Sequence, residues 1–180
     1  ARLQFLEAAR LDPDVAVIHQ QLSTYYAEAD DPTRALAYAL NAVRLEPETA
    51  AYQFQLGQVL AAFKEQLAKV EALSREQIDA DLLAAFQTAR QLQPDSLNLQ
   101  FRYGEAFYDV DQPDWETALA HWQSLAQDPR LSPIQADAVR VHMARCLSEL
   151  NRPAEARALL QQVQSSTLHP QPTPPPDPAP

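Results

Sequence analysis

The chain has 180 residues, 46% of them hydrophobic and 21% charged, which is enough to bury the core of one ordinary domain. Its net charge of -10 argues against binding of nucleic acids or anionic membranes, which need a basic surface, and no apolar run reaches the ~18 residues of a membrane span. Two glycines against fifteen prolines favour helices with short connections over a sheet with glycine turns.

The first predicted element is an incomplete unit. Residues 1–13 have the pattern of a second helix without its partner, so we predict a half repeat. The chain also starts at Ala1 rather than at methionine, and we expect the protein to be truncated at this end. The sequence does not indicate a compartment, and a soluble, cytoplasmic protein is the default expectation.

The next unit, 14–47, predicts two helices. A proline precedes the unit and another ends it, because proline lacks an N–H and clashes with the preceding helical turn. An acid follows each of these prolines and a third one downstream, and we expect these acids to accept N–H groups at a helix start: Asp14, Glu48 and Asp95. Asp30-Asp31-Pro32 is expected to start the second helix, where proline is tolerated.

The third unit, 48–94, contains an insertion and predicts longer helices. Apolar residues recur there at intervals of four and three, as on one face of a helix: Leu56, Leu60, Phe63, Leu67 and Val70. Residues 74–77 read Ser-Arg-Glu-Gln, a capping-box pattern that starts the second helix. We predict a pair that protrudes by about 10 Å at ~1.5 Å per residue. It is either a simple length variant or a contact surface.

Two further helical units are predicted at 95–129 and 133–164, and a tail follows at 165–180. The tail has seven prolines in its last eleven residues, so we expect an extended or disordered segment. Because polyproline segments bind aromatic grooves, docking on this chain or on a neighbouring copy is an alternative to a simple linker.

Short runs that repeat through the chain resemble the tetratricopeptide repeat (TPR), a helix pair of 34 residues. They read Leu22-Ser23-x-x-Tyr26, Leu56-Gly57-x-x-Leu60 and Tyr103-Gly104-x-x-Phe107. Both glycines of the chain occupy the glycine position of the motif, where two helices cross closely. The motif's tryptophan is absent, so the repeats are degenerate; in its place stand His19, Gln53, Gln100 and Arg140.

The resemblance implies an all-α fold: a right-handed superhelical array of antiparallel helix pairs, with about nine helices and a lengthened third pair. It also implies a concave groove, lined by the first helix of each unit, that binds peptides. Mapped onto this sequence, the groove contains Gln20, Thr24, Phe54, Gln55, Gln58, Phe101, Arg102, Glu105, Tyr108 and Asp109.

The composition of this groove indicates the kind of ligand. Aromatic rings among amides suit a peptide. TPR domains that clamp acidic tails use Lys and Asn at set positions, and here those positions hold Gln20/Thr24, Phe54/Gln58 and Phe101/Glu105. Since Arg102 is nearly alone as a cation, we expect a neutral or basic ligand rather than an acidic one.

Two clusters contain residue types that can bind metal ions. His142 and Cys146 lie four residues apart, a spacing that suits a metal or a thiolate–imidazole pair, but no third ligand accompanies them. We expect Cys146 in the core and His142 at the surface.

Six acids without an intervening Lys or Arg follow Gly104, but they lack the glycine and glutamate of a calcium loop: Glu105, Asp109, Asp111, Asp114, Glu116 and Asp128. We expect a solvated acidic turn that could meet a basic partner.

The sequence has no phosphate-binding glycine loop and no G-x-S-x-G, H-E-x-x-H or C-x-x-C motif. We therefore expect a non-catalytic protein-interaction scaffold without cofactor or metal. One alternative is a regulatory or substrate-presenting TPR segment of a larger enzyme, such as a transferase. Another is a spacer that self-associates through its terminal helices, whose apolar residues include Leu3, Phe5, Leu159 and Leu160.

Overall fold

The computed structural model describes residues 2–69 and 73–164, which contain nine α-helices and no strand. The all-α prediction is confirmed. Val70 and the tail at 165–180 lie outside the described residues, and so do the predictions made for them. The helices are α1 (Arg2–Leu11), α2 (Ala16–Glu28), α3 (Pro32–Leu45), α4 (Ala50–Leu67), α5 (Arg75–Leu92), α6 (Leu97–Ala106), α7 (Trp115–Leu125), α8 (Pro133–Glu149) and α9 (Pro153–Leu160).

The helices form two compact units, Ala1–Pro113 and Asp114–Pro180. In the first unit, each helix from α1 to α6 packs against the next one along the chain. In the second unit, α8 packs between α7 and α9. The short connections between α2 and α3 and between α8 and α9 make these pairs antiparallel. In both connections one residue adopts positive φ, Asp30 at 55° and Asn151 at 58°, a conformation that Asp and Asn tolerate best among non-glycine residues.

The residues at the tryptophan position of the TPR motif bind the backbone just before the helix on which they lie. In three helices of the first unit, its side chain is hydrogen-bonded to the carbonyl oxygen of the proline six residues earlier. This bond ties the second helical turn to the incoming chain. The three pairs are His19 Nε2 with Pro13 O (2.7 Å), Gln53 Nε2 with Pro47 O (3.0 Å) and Gln100 Nε2 with Pro94 O (3.1 Å).

The acids after the prolines do not cap the helices, contrary to the expectation from sequence. The N-cap residues of α2 and α4 are Val15 and Thr49, each one residue after the acid that was expected to cap the helix. Neither makes a side-chain cap bond. Helix α6 is capped by Ser96, which accepts from the Leu99 N–H. The bond back to the proline carbonyl sets the chain direction here, so the acid precedes the N-cap.

At Gly57 the glycine position of the motif is a close helix crossing, as predicted. A Cβ atom built on Gly57 would lie 2.8 Å from the Phe86 ring, so α4 and α5 approach this closely only because the side chain is absent. In the preceding pair the same position holds Ser23, which is fully buried and donates to the Ala35 carbonyl oxygen at 2.9 Å. Gly104 is also buried.

The third pair is lengthened, as predicted. Helices α4 and α5 have 18 residues each, against 13 in α2 and 14 in α3. Ser74 caps α5 by accepting from the Gln77 N–H, which confirms the predicted start. The Gln77 side chain donates to Asp81 instead of returning to Ser74, and a complete capping box is present at Ser132 and Gln135 of α8.

Candidate functional site

The predicted binding surface lies on α2, α4 and α6, and its α2–α4 part is joined by one glutamine. Gln55 Nε2 donates to the Gln20 carbonyl oxygen at 3.1 Å and to the Thr24 hydroxyl at 2.9 Å. Gln58, one turn along α4, is exposed. We call the side chains of α2, α4 and α6 predicted above, with Tyr108 and Asp109 that follow α6, the amide–aromatic face.

A second group of the predicted residues meets around Phe86 of α5. This ring is 1% exposed, and the Phe54 ring lies edge-on to it with centroids 5.7 Å apart. The Arg102 guanidinium lies over the Phe86 ring, 4.2 Å from its centroid, and pairs with the Asp109 carboxylate at 2.6 Å. The single cation of the amide–aromatic face is therefore neutralised and held in place.

The other predicted residues lie on the same elements. Phe101 and Glu105 are half-buried on α6, and Tyr108 is half-buried just after it. Phe86 was not among the predicted site residues. Phe86 lies eight residues before Pro94, as Phe5 lies eight residues before Pro13, so this repeated spacing indicated a buried position. Nothing in the spacing indicated its contact with Arg102.

A charged cluster that the sequence analysis missed lies where the lengthened helices end. Helix α4 is interrupted at Phe63 (φ -114°, ψ 16°), and the next residue, Lys64, turns inward with only 8% of its side chain exposed. Its Nζ lies 2.5 Å from Asp79 and 2.7 Å from Asp111, and it donates to the Asp109 carbonyl oxygen at 3.0 Å. One signal pointed to this burial: Lys64 lies four residues after Leu60, on the apolar face.

The outer side of the cluster is exposed. Arg75 Nε and Nη2 donate to the two Asp111 carboxylate oxygens at 2.7 and 3.0 Å, and its Nη1 donates to Glu65 at 2.7 Å. The hydrogen bonds from Arg75 and Lys64 hold the pKa of Asp111 well below its usual range. Burial lowers the pKa of Lys64, but its bonds to Asp111 and Asp79 outweigh this effect and raise it overall.

Two concave sites flank the third helix pair. A cavity of about 530 Å³ lies beside the charged cluster, between the start of α5 and the segment after α6, and Leu83 and Val110 contribute to its apolar lining. Half of the residues that line a cleft of about 270 Å³ between α3 and α5 are leucines, among them Leu40 and Leu60. Neither coincides with the amide–aromatic face.

Most acids of the predicted acidic turn have partners inside the chain. Asp109 and Asp111 are paired as described, Asp114 caps α7 by accepting from the Thr117 N–H, and Asp128 pairs with Arg130 at 2.7 Å. The turn is therefore not simply solvated, since Lys64 and Arg75 bind it from distant parts of the chain and Arg102 binds it from α6. Among the described residues no group of three His, Cys, Asp or Glu could hold a metal ion.

His142 is not the surface residue expected from sequence. It is half-buried and stacks on Trp122, with ring centroids 4.3 Å apart and planes within 4°. Burial, with a smaller contribution from Arg145, lowers the pKa of His142 from 6.5 to about 4. Cys146 is fully buried, as expected.

This stacking predicts a pH dependence of stability. Between pH ~6.5 and ~4 the unfolded chain binds a proton at His142 and the folded chain does not, so the free energy of unfolding should fall as pH falls through this window. We expect a loss of about 1–2 kcal/mol, discounted for partial exposure. His142→Phe keeps a ring against Trp122 and should lose this part of the slope in urea titrations followed by tryptophan fluorescence. An unchanged slope would contradict the assignment.

None of the helices in the described ranges is long and apolar enough to cross a membrane. No protein-family model matches the sequence, and no curated protein matches it.

Solved structures do resemble the chain. A crystal structure of MamA has a TM-score of 0.65 and 13% identity, covering 88% of this chain and 82% of that one. A second crystal structure of MamA has a TM-score of 0.62 and 12% identity, covering 88% and 76%. A weaker likeness, with a TM-score of 0.39, 15% identity and coverage of 88% and 90%, is to YrrB, described as a TPR protein with an unusual peptide-binding site. At these identities the likeness to the two MamA structures shows the fold alone, a TPR-like array of helix pairs.

Proposed function

We propose that the chain is a non-catalytic scaffold that binds a neutral or basic peptide on the amide–aromatic face. The helical repeats over 1–164 form the binding domain in this proposal, and 165–180 is a separate tail. The TPR-like fold supports a protein-interaction role in general. The particular face and the charge of its ligand are inferences from its side chains.

The observation that carries the proposal is the neutralised cation of this face. Arg102 pairs with Asp109 and covers Phe86, with 22% of its side chain exposed, so it offers little to an acidic ligand. Glu105 remains on the same helix as an acceptor. A cationic or uncharged peptide therefore meets no unpaired positive charge on α6.

The apolar and amide groups supply the remaining contacts. Phe54, Phe101 and Tyr108 are half-buried, so a peptide could cover the part of each residue that is still exposed. Gln58 is exposed beside them and offers both a donor and an acceptor to a peptide backbone. Such a surface suits recognition by aromatic contacts and amide hydrogen bonds.

The test is to select peptides from a random display library on the immobilised chain and to measure their affinities for two variants. Gln58→Arg places a charge in the amide–aromatic face, and Gln87→Arg places the same charge at an exposed position of α5 as a matched control. We expect neutral or basic peptides whose binding weakens about tenfold with Gln58→Arg and stays unchanged with Gln87→Arg. Selection of acidic peptides, or equal effects of both variants, would contradict the proposal.

A further inference from the structure

We propose that the lengthened third helix pair is an internal brace for the α6 end of the amide–aromatic face, and that Lys64 is the positioning residue of this brace. The effect of the brace on peptide binding rests on the proposed function, since it concerns the same face. The brace itself is inferred from contacts within the first unit alone.

The first step is the placement of Lys64. Lys64 follows the interruption of α4 at Phe63 and is buried, and its Nζ lies within 3.0 Å of three oxygens, on Asp79, Asp109 and Asp111. The ammonium group donates to the Asp109 carbonyl oxygen and to the Asp111 carboxylate, and the Asp79 carboxylate forms an ion pair with it. This arrangement fixes the lysine more firmly than a single surface ion pair would.

Lys64 is connected to the amide–aromatic face through Asp109 and Arg102. It binds the backbone carbonyl of Asp109, whose carboxylate pairs with Arg102 at 2.6 Å. Arg102 lies over Phe86, and Phe54 packs edge-on against the same ring. One connected set of contacts therefore runs from Lys64 to the cation and to an aromatic ring of the amide–aromatic face.

The lengthened part of the third helix pair, which we call the extension, also binds the segment after α6, residues 107–113, at a second point. The Asp111 N–H donates to Asp79 Oδ2 at 2.8 Å, so α5 holds the backbone two residues beyond Asp109. Arg75 binds the carboxylate of Asp111 from outside. Lys64, Arg75 and Asp79 all lie on the parts of α4 and α5 nearest their connection, which is where the added length of the pair ends.

The ion pairs of the extension favour a brace over the contact surface that was the alternative expected from the sequence. The two cations of the extension's cluster, Lys64 and Arg75, are bound to carboxylates of the chain itself. The segment they hold contributes Tyr108 and Asp109 to the amide–aromatic face. The extension thus acts on the face from behind, by fixing its edge.

Hydrogen exchange measured by mass spectrometry tests the brace without any ligand. In Lys64→Met, the amides of residues 105–113 should exchange about tenfold faster than in the wild type, relative to the amides of α2 in the same protein. Arg75→Gln removes a cation from the same Asp111 carboxylate without touching Asp109, and it should change this ratio much less. Uniform acceleration over both regions, or an equal effect of Arg75→Gln, would overturn the proposal.

A milder variant keeps the test informative if Lys64→Met does not fold. Lys64→Gln retains two N–H donors and loses the charge, and the exchange ratio should still rise, by about threefold. An unchanged ratio in this variant would overturn the brace.

The library-selected peptides link the brace to binding. Peptides that are sensitive to Gln58→Arg should bind Lys64→Met about fivefold more weakly. Arg75→Gln, which loosens only the outer carboxylate, should weaken them less, and Arg10→Gln, in an exposed ion pair on α1, should leave their binding unchanged. Faster local exchange with unchanged affinity would show a structural role only and overturn Lys64 as a positioning residue. If no peptide is sensitive to Gln58→Arg, the proposed function fails, and the exchange ratio alone then decides the brace.

Discussion

Replacing Lys64 by methionine should lower the free energy of unfolding by about 3 kcal/mol, because removing one partner of a buried ion pair leaves a carboxylate uncompensated. Asp79 has 14% of its side chain exposed and cannot recover full hydration where it lies. Asp111 is 42% exposed and keeps its bonds to Arg75, so it adds little to the cost. The expected loss is therefore at the lower end of what such pairs show.

The measurement is urea unfolding followed by far-UV circular dichroism, with Lys69→Met as the matched control. Lys69 is the other lysine of the chain and is exposed beyond the end of α4. Its replacement should change the free energy of unfolding by less than about 0.5 kcal/mol. If both variants lost the same small amount, the buried cluster would not contribute to stability as described.

The second large effect is expected at Gly57. In an open helix, Gly→Ala stabilises by about 1 kcal/mol, because alanine has the better helix propensity. Here the new Cβ would lie 2.8 Å from the buried Phe86 ring, so we expect Gly57→Ala to destabilise instead, by about 2 kcal/mol. The sign of the change thus reports directly on the close crossing of α4 and α5.

A double-mutant cycle with Phe86→Leu separates the overlap from other causes. Phe86→Leu alone should cost about 2 kcal/mol, since it leaves a cavity, but in the Gly57→Ala background it also relieves the overlap. The two changes should therefore be less costly together than their sum by about 1 kcal/mol or more. Additive effects, or a stabilising Gly57→Ala, would contradict the crossing.

The helices and their crossings could be read from sequence because their causes are local or repeated. Pro47 ends α3 because proline has no N–H to donate to the preceding helical turn, and the position of Gly57 in the motif is repeated at Gly104. The start of α4 was placed less well, since it depends on the Gln53 bond to the Pro47 carbonyl. The six-residue spacing recurs at His19 and Gln100, but it joins a side chain to a backbone carbonyl oxygen, whereas the sequence analysis compared the spacing of apolar and capping residues.

The site was only partly readable for the same reason. The elements that carry the amide–aromatic face followed from the repeat, but the partners of its residues did not. Lys64 meets Asp109 and Asp111 across more than 40 positions of the chain. His142 meets Trp122 across the α7–α8 connection, and neither contact has a periodic signature. Such pairings are fixed by tertiary packing.

The most direct test of the central claim is photo-crosslinking of a library-selected basic peptide to chains that carry benzoylphenylalanine at one position. Placed at Gln58, the probe lies on the amide–aromatic face, and placed at Gln87, it is exposed on α5. The account predicts a covalent adduct from position 58 and none from position 87. Adducts from position 87 alone would show that the peptide binds elsewhere and would contradict the account.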